Sequence, residues 1–443
     1  MVFYGFSANY KEWSRETLRY LTNYERRNTN RNVPMSKKGF NTSNLHSDRA
    51  DEPEHGVLHK PVHTSVAYGY KKAKHLAEVF QGKRKGYNYG RQLNPTVTAL
   101  QKRVTGMENG VSSVGFSTGM AAISSTMLSL LKSGDHVISS SFLFGNTNSF
   151  FGTLIRLGIE VSFVDATKAQ LVEGAIKENT KVVFVETIAN PATQVADLAK
   201  IGQVCKKKNL VYIVDNTMTS PFSFQPKNVE ASLVINSLTK YIGGHGNALG
   251  GMVTDTGNYD WKRFDNIIET YRSEEPELWG ITQIKKKGLR DMGSSLGPEA
   301  AHHLAVGSET LSMRMDRASS NALELARFCS QHNNVKATYY PGLPRHPQHN
   351  RARDLFKNFG AIFSIDLVDG IDCFDVLDRM EHIVSSSNLG DTRTLAIPVA
   401  HTIYFEMGAE RRSSMGISDS MIRFSVGIEE LDDLLSDLKA ALS

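Results

Sequence analysis

Cysteine is scarce in this sequence. The three cysteines, Cys205, Cys329 and Cys373, lie far apart and form neither a CxxC pair nor another spacing typical of metal ligands. This distribution argues against a disulfide framework and against a zinc site, and it favours a reducing compartment. We therefore expect a cytoplasmic protein with no disulfide framework and no metal site.

Long hydrophobic runs are also missing. No apolar stretch approaches the roughly 20 residues that a membrane-spanning helix requires. The first 34 residues contain no apolar segment of the kind found in a secretory signal. With 40% hydrophobic and 22% charged residues, the chain has the composition of a soluble globular protein, and we expect no membrane partner.

A general excess of positive charge is absent as well. The formal net charge is +5, but residues 1–40 hold eight Lys or Arg against three Glu, so the rest of the chain is formally neutral. A neutral body lacks the basic surface that a nucleic acid requires, and we expect no nucleic-acid partner. Met35 is followed by Ser-Lys-Lys and resembles a translation start. We therefore expect residues 1–34 to be dispensable for folding and activity.

Short apolar segments alternate with helical segments between residues 95 and 254. Asn94-Pro95-Thr96 predicts the start of a helix, with Asn94 as its cap and Pro95 in its first turn. The alternation predicts a mainly parallel sheet that helices cover on both faces. The predicted strands are 136–141, 159–164, 181–186, 210–216, 231–235 and 251–254, and the helices between them are 121–131, 148–157, 169–177 and 198–208.

One rim of this predicted sheet collects residues suited to binding or catalysis. Glu186 closes one predicted strand and Asp215 lies at the end of another, whereas Phe144 and Lys240 come shortly after two more. Ligands of parallel sheets gather at the carboxyl ends of the strands. We therefore expect these four side chains to surround a ligand site.

The pattern changes after Trp261. Helical periodicity extends to about residue 331, and strands follow near 336–340, 361–367 and 422–426. In the last of these strands, alternation places Arg423 on the opposite face from its apolar neighbours. Residues 40–86 are polar and weakly periodic, which predicts an extended arm. We expect an N-terminal extension and arm over residues 1–60, a larger α/β domain over 61–298 and an α+β domain over 299–443.

Two glycine-containing turns follow or precede regular elements. Ser237–Gly251, reading SLTKYIGGHGNALGG, begins with Ser, Thr and Lys side chains that suit a phosphate or carboxylate. Its glycines allow the backbone to approach a ligand closely. The turn STGM leads from Ser117 into a helix, where free N–H groups and the helix dipole attract an anion. Taken alone, the first stretch could be a strand end with a surface lysine, and the second a simple capping turn.

Together these features indicate pyridoxal phosphate. Lys240 can bond covalently to the aldehyde of this cofactor and later serve as a general base. Asp215, 25 residues earlier on a neighbouring strand, can keep the pyridine nitrogen protonated, which makes the ring an electron sink. The phosphate needs N–H donors and an arginine. Tyr89 and Arg91 would point the same way in an extended segment, and the ring of Phe144 can stack on the pyridine face.

The chain resembles the Cys/Met-metabolism family of pyridoxal-phosphate enzymes over residues 40–443. The resemblance rests on motifs that follow one another in order: YGRQLNPT, STGMAA, LFGNT, ETIANP, VDNTMTSP, SLTKYIGGHGNALGG, NALELARF, NLGD and GISDSMIRFSVGIE. It implies a fold-type I architecture like that of aspartate aminotransferase, with a large α/β domain that binds the cofactor and a smaller α+β C-terminal domain.

The family resemblance implies a role for each matching position. Lys240 would anchor the cofactor, Asp215 would pair with the pyridine nitrogen and Asn190 would lie near the ring hydroxyl. Arg423 would hold the substrate α-carboxylate in a bidentate pair. The phosphate would be held by residues of one subunit and of its neighbour, namely Gly119, Met120, Ser237 and Thr239 together with Tyr89 and Arg91. The resemblance therefore implies a homodimer or homotetramer with shared active sites.

The chain departs from the usual family pattern near the substrate. Phe144 stands where a tyrosine is common, and it can stack equally well but has no proton to give to a leaving group. Asn388 stands where many members carry the Ser of an SLG motif, as it does in some sulfhydrylases. Residues 397–402 read IPVAHT where many members carry His-Pro-Ala-x-x-Thr-His. These departures leave the substrate open.

The implied activity is trans-sulfuration at the γ-carbon of a homoserine ester or a sulfur amino acid, in some cases with a thiol as second substrate. We favour γ-replacement of the cystathionine γ-synthase type. The alternatives are γ-elimination by a cystathionine or methionine γ-lyase and homoserine-ester sulfhydrylation. A non-catalytic cofactor-binding protein of the same fold is an alternative of another class, against which Lys240 and Asp215 argue.

Overall fold

The computed structural model describes residues 38–47 and 54–443, and the prediction for residues 1–34 lies outside them. Two β-sheets dominate the described chain, a seven-stranded sheet of order β1-β7-β6-β5-β4-β2-β3 and a five-stranded sheet of order β10-β11-β12-β9-β8. The strands are β1 Ser112–Phe116, β2 His136–Ser140, β3 Glu160–Val164, β4 Thr180–Glu186, β5 Val211–Asp215, β6 Leu233–Ser237, β7 Gly251–Asp255, β8 Val335–Tyr339, β9 Ile362–Leu367, β10 Val384–Ser385, β11 Leu395–Pro398 and β12 Met421–Ser425.

The larger sheet is mainly parallel, as predicted. Neighbouring strands run parallel from β3 through β2, β4 and β5 to β6, whereas β7 is antiparallel to both β6 and β1. The carboxyl ends of β4, β5 and β6 therefore meet at one edge, with Glu186 directly opposite Asp215 in the register. This edge is where the sequence predicts a ligand site.

Helices connect the strands. Side-chain caps explain where two of the longer helices begin. Asn94 accepts hydrogen bonds from the N–H groups of Thr96 and Val97 at the start of Pro95–Met107, and Thr118 caps Gly119–Leu130. The α-helices are Phe40–Leu45, Ala73–Phe80, Pro95–Met107, Gly119–Leu130, Gly145–Arg156, Ala169–Gly174, Leu198–Lys208, Ser220–Ser223, Trp279–Gln283, Pro298–Ser308, Leu311–Cys329, His349–Leu355, Cys373–Asp378, Ala409–Ser414 and Leu431–Ala441.

Alternate residues of the central strands enter two hydrophobic cores. On β5, Tyr212 and Val214 pack in the core that includes helices Pro95–Met107 and Leu311–Cys329. Val211 and Ile213 of the same strand enter the other core, together with residues of the helix Gly119–Leu130. The period of two along a strand explains this division. The helices thus cover both faces of the larger sheet, which confirms the predicted layering.

The smaller sheet shares the first of these cores. Phe363 of β9 and Phe424 of β12 stack with their ring centroids 4.7 Å apart, and both belong to the core that contains Tyr212. Arg423 lies between Ile422 and Phe424 of β12, on the other face of the strand. The domain boundaries at residues 60 and 298 stay predictions, although the helix Pro298–Ser308 begins at the second one.

Several predicted elements differ from the structure. The segment 40–86 contains the helices Phe40–Leu45 and Ala73–Phe80, so the prediction of an extended arm was wrong for these parts. The strand predicted at 231–235 lies at Leu233–Ser237 instead. The backbone N–H of Ser232 donates to the carbonyl of Tyr212, and the pairing of β6 with β5 begins at the next residue. Much of residues 261–291 forms short 3₁₀ turns and a π-helix, Ile284–Asp291, instead of long regular helices. The strands β1, β10 and β11 were not predicted.

Three further features of the described residues concern disulfides, metal ligands and membrane-spanning helices. All three cysteines are free and buried. Among residues 38–47 and 54–443, no group of three or more His, Cys, Asp or Glu side chains is arranged to hold a metal ion. Over the same ranges, each helix is too short or too polar to traverse a bilayer.

Candidate active site

A cavity of about 330 Å³ opens at the carboxyl ends of β4, β5 and β6. Its lining comes from both sheets and from the starts of two helices. Ten of the residues that the sequence places at a ligand site line this cavity, namely Gly119, Met120, Phe144, Glu186, Asn190, Asp215, Ser237, Thr239, Lys240 and Arg423. The tertiary structure therefore unites residues that are up to 304 positions apart, counting from Gly119 to Arg423.

One end of the cavity is built for an anion. The helix Gly119–Leu130 begins here, capped by Thr118, whose hydroxyl accepts the N–H of Ala121 at 3.0 Å. A Cβ atom at position 119 would lie 2.7 Å from the Cβ of Ser237, so only glycine lets the helix start and the end of β6 meet. The N-terminal N–H groups and the hydroxyl residues Ser237 and Thr239 thus share one end of the cavity, as a phosphate site requires.

Lys240 follows β6 and points to the smaller sheet. Its Nζ donates a hydrogen bond of 2.7 Å to Oδ1 of Asn388. Burial, with a smaller contribution from the nearby positive charge of Arg423, lowers the pKa of Lys240 to about 8. A lowered pKa makes the neutral amine available near neutral pH, and the neutral amine is the nucleophilic and basic form. Asn388 does not line the cavity itself, but its hydrogen bond positions the Lys240 amine that does.

Asp215 lines the cavity at the end of β5. Burial raises the pKa of its carboxyl, and hydrogen bonds from Thr217 oppose this effect. The Thr217 N–H donates to Oδ1 at 2.9 Å. A buried carboxyl group of this kind is stabilised in its ionised form by a cation, such as a protonated pyridine nitrogen.

Glu186 also lines the cavity, and the sequence placed it at the rim without assigning it a role. Its Oε1 accepts the backbone N–H of Phe144 at 2.8 Å. Phe144 immediately precedes the helix Gly145–Arg156, and the hydrogen bond to Glu186 holds its backbone at the cavity. Burial, and then the proximity of Asp215, raise the pKa of Glu186 to about 8. The sequence feature that could have revealed this role is the position of Glu186 at the end of a predicted strand, beside the strand that ends at Asp215.

Arg423 is only 1% exposed, so its face of β12 is not open to solvent. Its Nη2 donates to the backbone oxygen atoms of Asn388 at 2.9 Å and Ser387 at 3.3 Å, and Nη1 reaches Oδ1 of Asn190 at 3.5 Å. Its Nε has no hydrogen-bond partner in the described part of the chain. Burial lowers the pKa of Arg423 to about 10, so the guanidinium stays charged at neutral pH. A carboxylate would satisfy this incompletely paired cation.

Tyr89 and Arg91 do not reach this cavity within their own chain. Tyr89 pairs with Ala67 in an isolated β-bridge, and a turn follows in which the N–H groups of Gln92 and Leu93 donate to the carbonyl of Tyr89, so the segment is extended only as far as Tyr89. Both residues are exposed, and the guanidinium of Arg91 lies 5.5 Å from the centroid of the Tyr89 ring.

The donor set of the cavity matches pyridoxal phosphate part by part. Helix N–H groups and hydroxyls would hold the phosphate, Lys240 with its lowered pKa would bond to the aldehyde, and Asp215 would supply the anion that a protonated pyridine nitrogen needs. Phe144 supplies a flat ring at the wall. A volume of about 330 Å³ is also that of a small-molecule site. When bound, this cofactor supplies an electron sink for the carbanion at the substrate α-carbon.

The fold and the cavity define an enzyme of the fold-type I class that depends on pyridoxal phosphate. The family model described as Cys/Met metabolism PLP-dependent enzyme matches residues 41–443. The chain belongs to this family, whose members include the trans-sulfuration enzymes. The resemblance inferred from the motifs is thereby confirmed, as are the fold class and the cofactor.

Individual relatives cover nearly the whole chain. O-acetyl-L-homoserine sulfhydrylase 1 of Thermus thermophilus is 36% identical over 91% of this chain and 100% of that protein. An L-methionine gamma-lyase of Fusobacterium nucleatum is 34% identical over 93% and 99%, respectively. A solved Campylobacter jejuni structure, with the provisional name O-acetylhomoserine (thiol)-lyase, has a TM-score of 0.87 and 30% identity over 91% of this chain and 100% of that one. That structure contains a pyridoxyl-lysine monophosphate.

Proposed function

We propose that the protein catalyses γ-replacement on a homoserine ester, with a small uncharged thiol or sulfide as the second substrate. This is homoserine-ester sulfhydrylation, one of the alternatives that the sequence left open beside cystathionine γ-synthase activity. The observation that carries the proposal is Phe144 at the cavity wall. A phenyl ring cannot donate a proton, so Phe144 gives the leaving group no acid assistance.

The leaving group of an O-acyl homoserine is a carboxylate, whereas the leaving group of a thioether such as methionine is a thiolate. The conjugate acid of a carboxylate has a pKa of about 4, against about 8.5 for a thiol. A carboxylate is therefore stable at neutral pH without a proton from the protein. This difference favours a homoserine ester over cystathionine or methionine as the substrate.

The remaining lining favours a small thiol. The ionisable side chains at the cavity are Glu186, Asp215, Lys240 and Arg423. Glu186 holds the backbone of Phe144, and the other three are assigned to the cofactor and the substrate α-carboxylate. The other lining residues are neutral, whereas cysteine as a thiol would bring a second ammonium and carboxylate that need charged partners. The similarity to a sulfhydrylase supports the same choice.

In this proposal, each residue of the chain has a defined task. Arg423 binds the α-carboxylate and thereby orients the α-carbon toward Lys240. The Lys240 amine takes the α-proton and can return it, while Asn388 holds the amine through the 2.7 Å hydrogen bond. Asp215 supplies the negative charge that balances the protonated ring nitrogen of the cofactor.

A substrate panel tests the proposal. Purified enzyme would be given an O-acyl homoserine together with sulfide, methanethiol or cysteine, and thioether, homocysteine and keto-acid products would be measured. We expect homocysteine from sulfide and methionine from methanethiol. A second candidate, γ-elimination, is favoured by the similarity to a methionine γ-lyase. If cystathionine or methionine yields 2-oxobutanoate while no replacement product forms, the proposed function is wrong.

Phe144→Tyr should increase elimination selectively. The new phenol can protonate a departing thiolate, and general acids typically contribute factors of about 10²–10⁴. We expect 2-oxobutanoate formation from methionine to rise at least about tenfold, whereas replacement on the ester changes little, because its carboxylate needs no proton. Initial rates with both substrates provide the measurement, and Phe144→Leu is the control for ring loss. Equal changes in both reactions would contradict the leaving-group argument.

We also propose that Tyr89 and Arg91 complete the phosphate site of a second copy of this chain. Both are exposed and lie outside the cavity of their own chain, and an arginine would add charge-assisted hydrogen bonds to the anion end. Arg91→Ala should weaken cofactor binding at least about tenfold, since a hydrogen bond to a charged group contributes roughly 1.5–3 kcal/mol.

Mixing Arg91→Ala with Lys240→Ala tests whether the site is shared. In a hybrid dimer, one site would contain an intact Lys240 from the first subunit and an intact Arg91 from the second. We therefore expect the mixture, after subunit exchange, to be more active than the sum of the two separate variants. The same mixture without exchange is the control. Activity equal to the sum after verified exchange would exclude a shared site.

A further inference from the structure

A chain of buried polar side chains runs behind the cavity. The hydroxyls of Thr187 and Thr219 lie 3.0 Å apart, and the Thr219 hydroxyl donates to the side-chain oxygen of Asn216. The Asn216 amide then donates to Oε1 of Glu108 at 3.0 Å, and the Asn236 amide donates to the same oxygen at 2.6 Å. All five side chains are at most 1% exposed. Buried polar networks of this kind are strongly destabilising unless their members are satisfied.

Glu108 connects the two strand ends that carry the cofactor residues. Asn216 directly follows Asp215 of β5, and Asn236 directly precedes Ser237 of β6. Glu108 itself lies just after the helix Pro95–Met107. Its carboxyl group therefore joins the residue next to the pyridine-nitrogen partner to the residue next to the phosphate donors.

Two oxygen atoms of this network lack a partner. Within the described part of the chain, neither Oε2 of Glu108 nor Oδ1 of Asn236 accepts or donates a hydrogen bond, and both atoms are buried. Each belongs to a group whose other polar atom already takes part in the 2.6 Å bond between these residues. If Glu108 were ionised, both orphaned atoms would be acceptors, and neither could satisfy the other.

We propose that Glu108 is a protonated carboxylic acid whose Oε2–H donates to Oδ1 of Asn236. The two hydrogen bonds then close a cyclic acid–amide pair, in which Asn236 donates through Nδ2 and accepts through Oδ1. One proton satisfies both orphaned oxygens without placing a net charge in the core. Glu108 is thus a positioning residue that holds the ends of β5 and β6 in register beneath the cofactor.

The electrostatic surroundings support a neutral Glu108. Burial raises the pKa of its carboxyl to about 7, although the two asparagine amides act in the opposite direction. The charged groups on the elements packed around it have other hydrogen-bond partners. Asp215 accepts from Thr217, Asp255 accepts from Trp261, and Lys227 donates to the carbonyl of Asn109.

Infrared spectroscopy of the full-length protein tests the protonation directly. Below the pKa of about 7, the wild type should show the carbonyl band of a neutral carboxylic acid, and subtraction of the Glu108→Gln spectrum should isolate it from other buried acids. The band should diminish as the pH rises through that pKa. If the difference spectrum shows only a carboxylate band throughout, the proposal is wrong.

Two variants test the positioning role independently of the second substrate. Glu108→Gln keeps one acceptor and one donor in the same arrangement, so its affinity for pyridoxal phosphate should stay within about twofold of the wild type. Glu108→Met has a similar volume but leaves the asparagine amides unpaired, and its affinity should fall about tenfold or more. Equal losses in both variants would show that an ionised carboxylate is required and would overturn the proposal.

The pH dependence of unfolding gives a further readout that remains informative if Glu108→Met fails to fold. The pKa of Glu108 is raised in the folded state, so the wild type should lose stability relative to Glu108→Gln as the pH rises from the ordinary glutamate value, about 4.5, to about 7. The difference in melting temperature between these two proteins should move in that direction. A constant difference over this range would contradict the proposed protonation.

Discussion

Replacing Lys240 with alanine is expected to abolish turnover and to remove the visible absorbance of the bound cofactor. Its amine is the only lysine amine that lines the described cavity, and in the proposed function it combines the roles of covalent anchor and general base. General base catalysis alone contributes up to about 10⁴-fold, so we expect a loss of at least about that factor. Steady-state rates and the absorption spectrum of the purified variant provide the measurements.

Lys240→Arg is the matched control for charge. It keeps a cation of similar length near Asn388, but a guanidinium is not deprotonated in proteins and cannot act as the nucleophile or the base. We therefore expect it to be as inactive as the alanine variant while remaining folded. Full activity in either variant would end the interpretation of this chain as an enzyme that uses Lys240. The alternative of a silent cofactor-binding fold would be favoured instead if the wild type itself fails to turn over.

Replacing Arg423 with leucine should produce the second largest effect. The guanidinium is buried, has one unpaired N–H group and remains charged at neutral pH, so it is prepared to bind a carboxylate. Removing one partner of a buried charge pair costs about 2–5 kcal/mol. We expect kcat/KM for the amino-acid substrate to fall by about 10²–10³ or more, since about 1.4 kcal/mol corresponds to a factor of ten.

Arg423→Lys separates charge from geometry. A lysine keeps the positive charge but loses the planar pair of donors, so it should recover only part of the activity. Cofactor affinity should change much less than kcat/KM in both variants, because Arg423 is assigned to the substrate. If Arg423→Leu binds substrate normally but loses the cofactor, its assignment to the α-carboxylate is wrong.

The motif order and the local signals predict most of the cofactor side of the site. A strand that ends at Asp215, a glycine turn into a helix at Gly119, and Ser-x-Thr-Lys after another strand are patterns confined to a few neighbouring residues. Such patterns are visible in one dimension, because strand ends and helix starts depend on local backbone chemistry. Their meeting at one edge of the sheet follows from the parallel topology that the alternation predicts.

Prediction was poorest where the local signal is weak. The segment 261–291 has apolar periodicity but forms 3₁₀ turns and a π-helix, Ile284–Asp291, since packing against the helix Gly119–Leu130 overrides local preference there. The turn that follows Tyr89 has a similar cause, because the Gly90 N–H donates to the carbonyl of Val66. Neither the packing against Gly119–Leu130 nor the hydrogen bond of Gly90 is indicated by the local sequence.

By itself, the sequence determined the layered α/β fold and the cofactor, and it predicts that Lys240 and Asp215 hold this cofactor, because short contiguous patterns indicate each of them. Only the tertiary structure decided which side chains act on them. Asn388 reaches Lys240 across 148 positions, and Glu108 reaches Asn236 across 128. Contacts at such separations depend on how the elements pack, and no local pattern encodes that packing. The hydrogen-bond partners that tune the site therefore emerge only when the chain is folded.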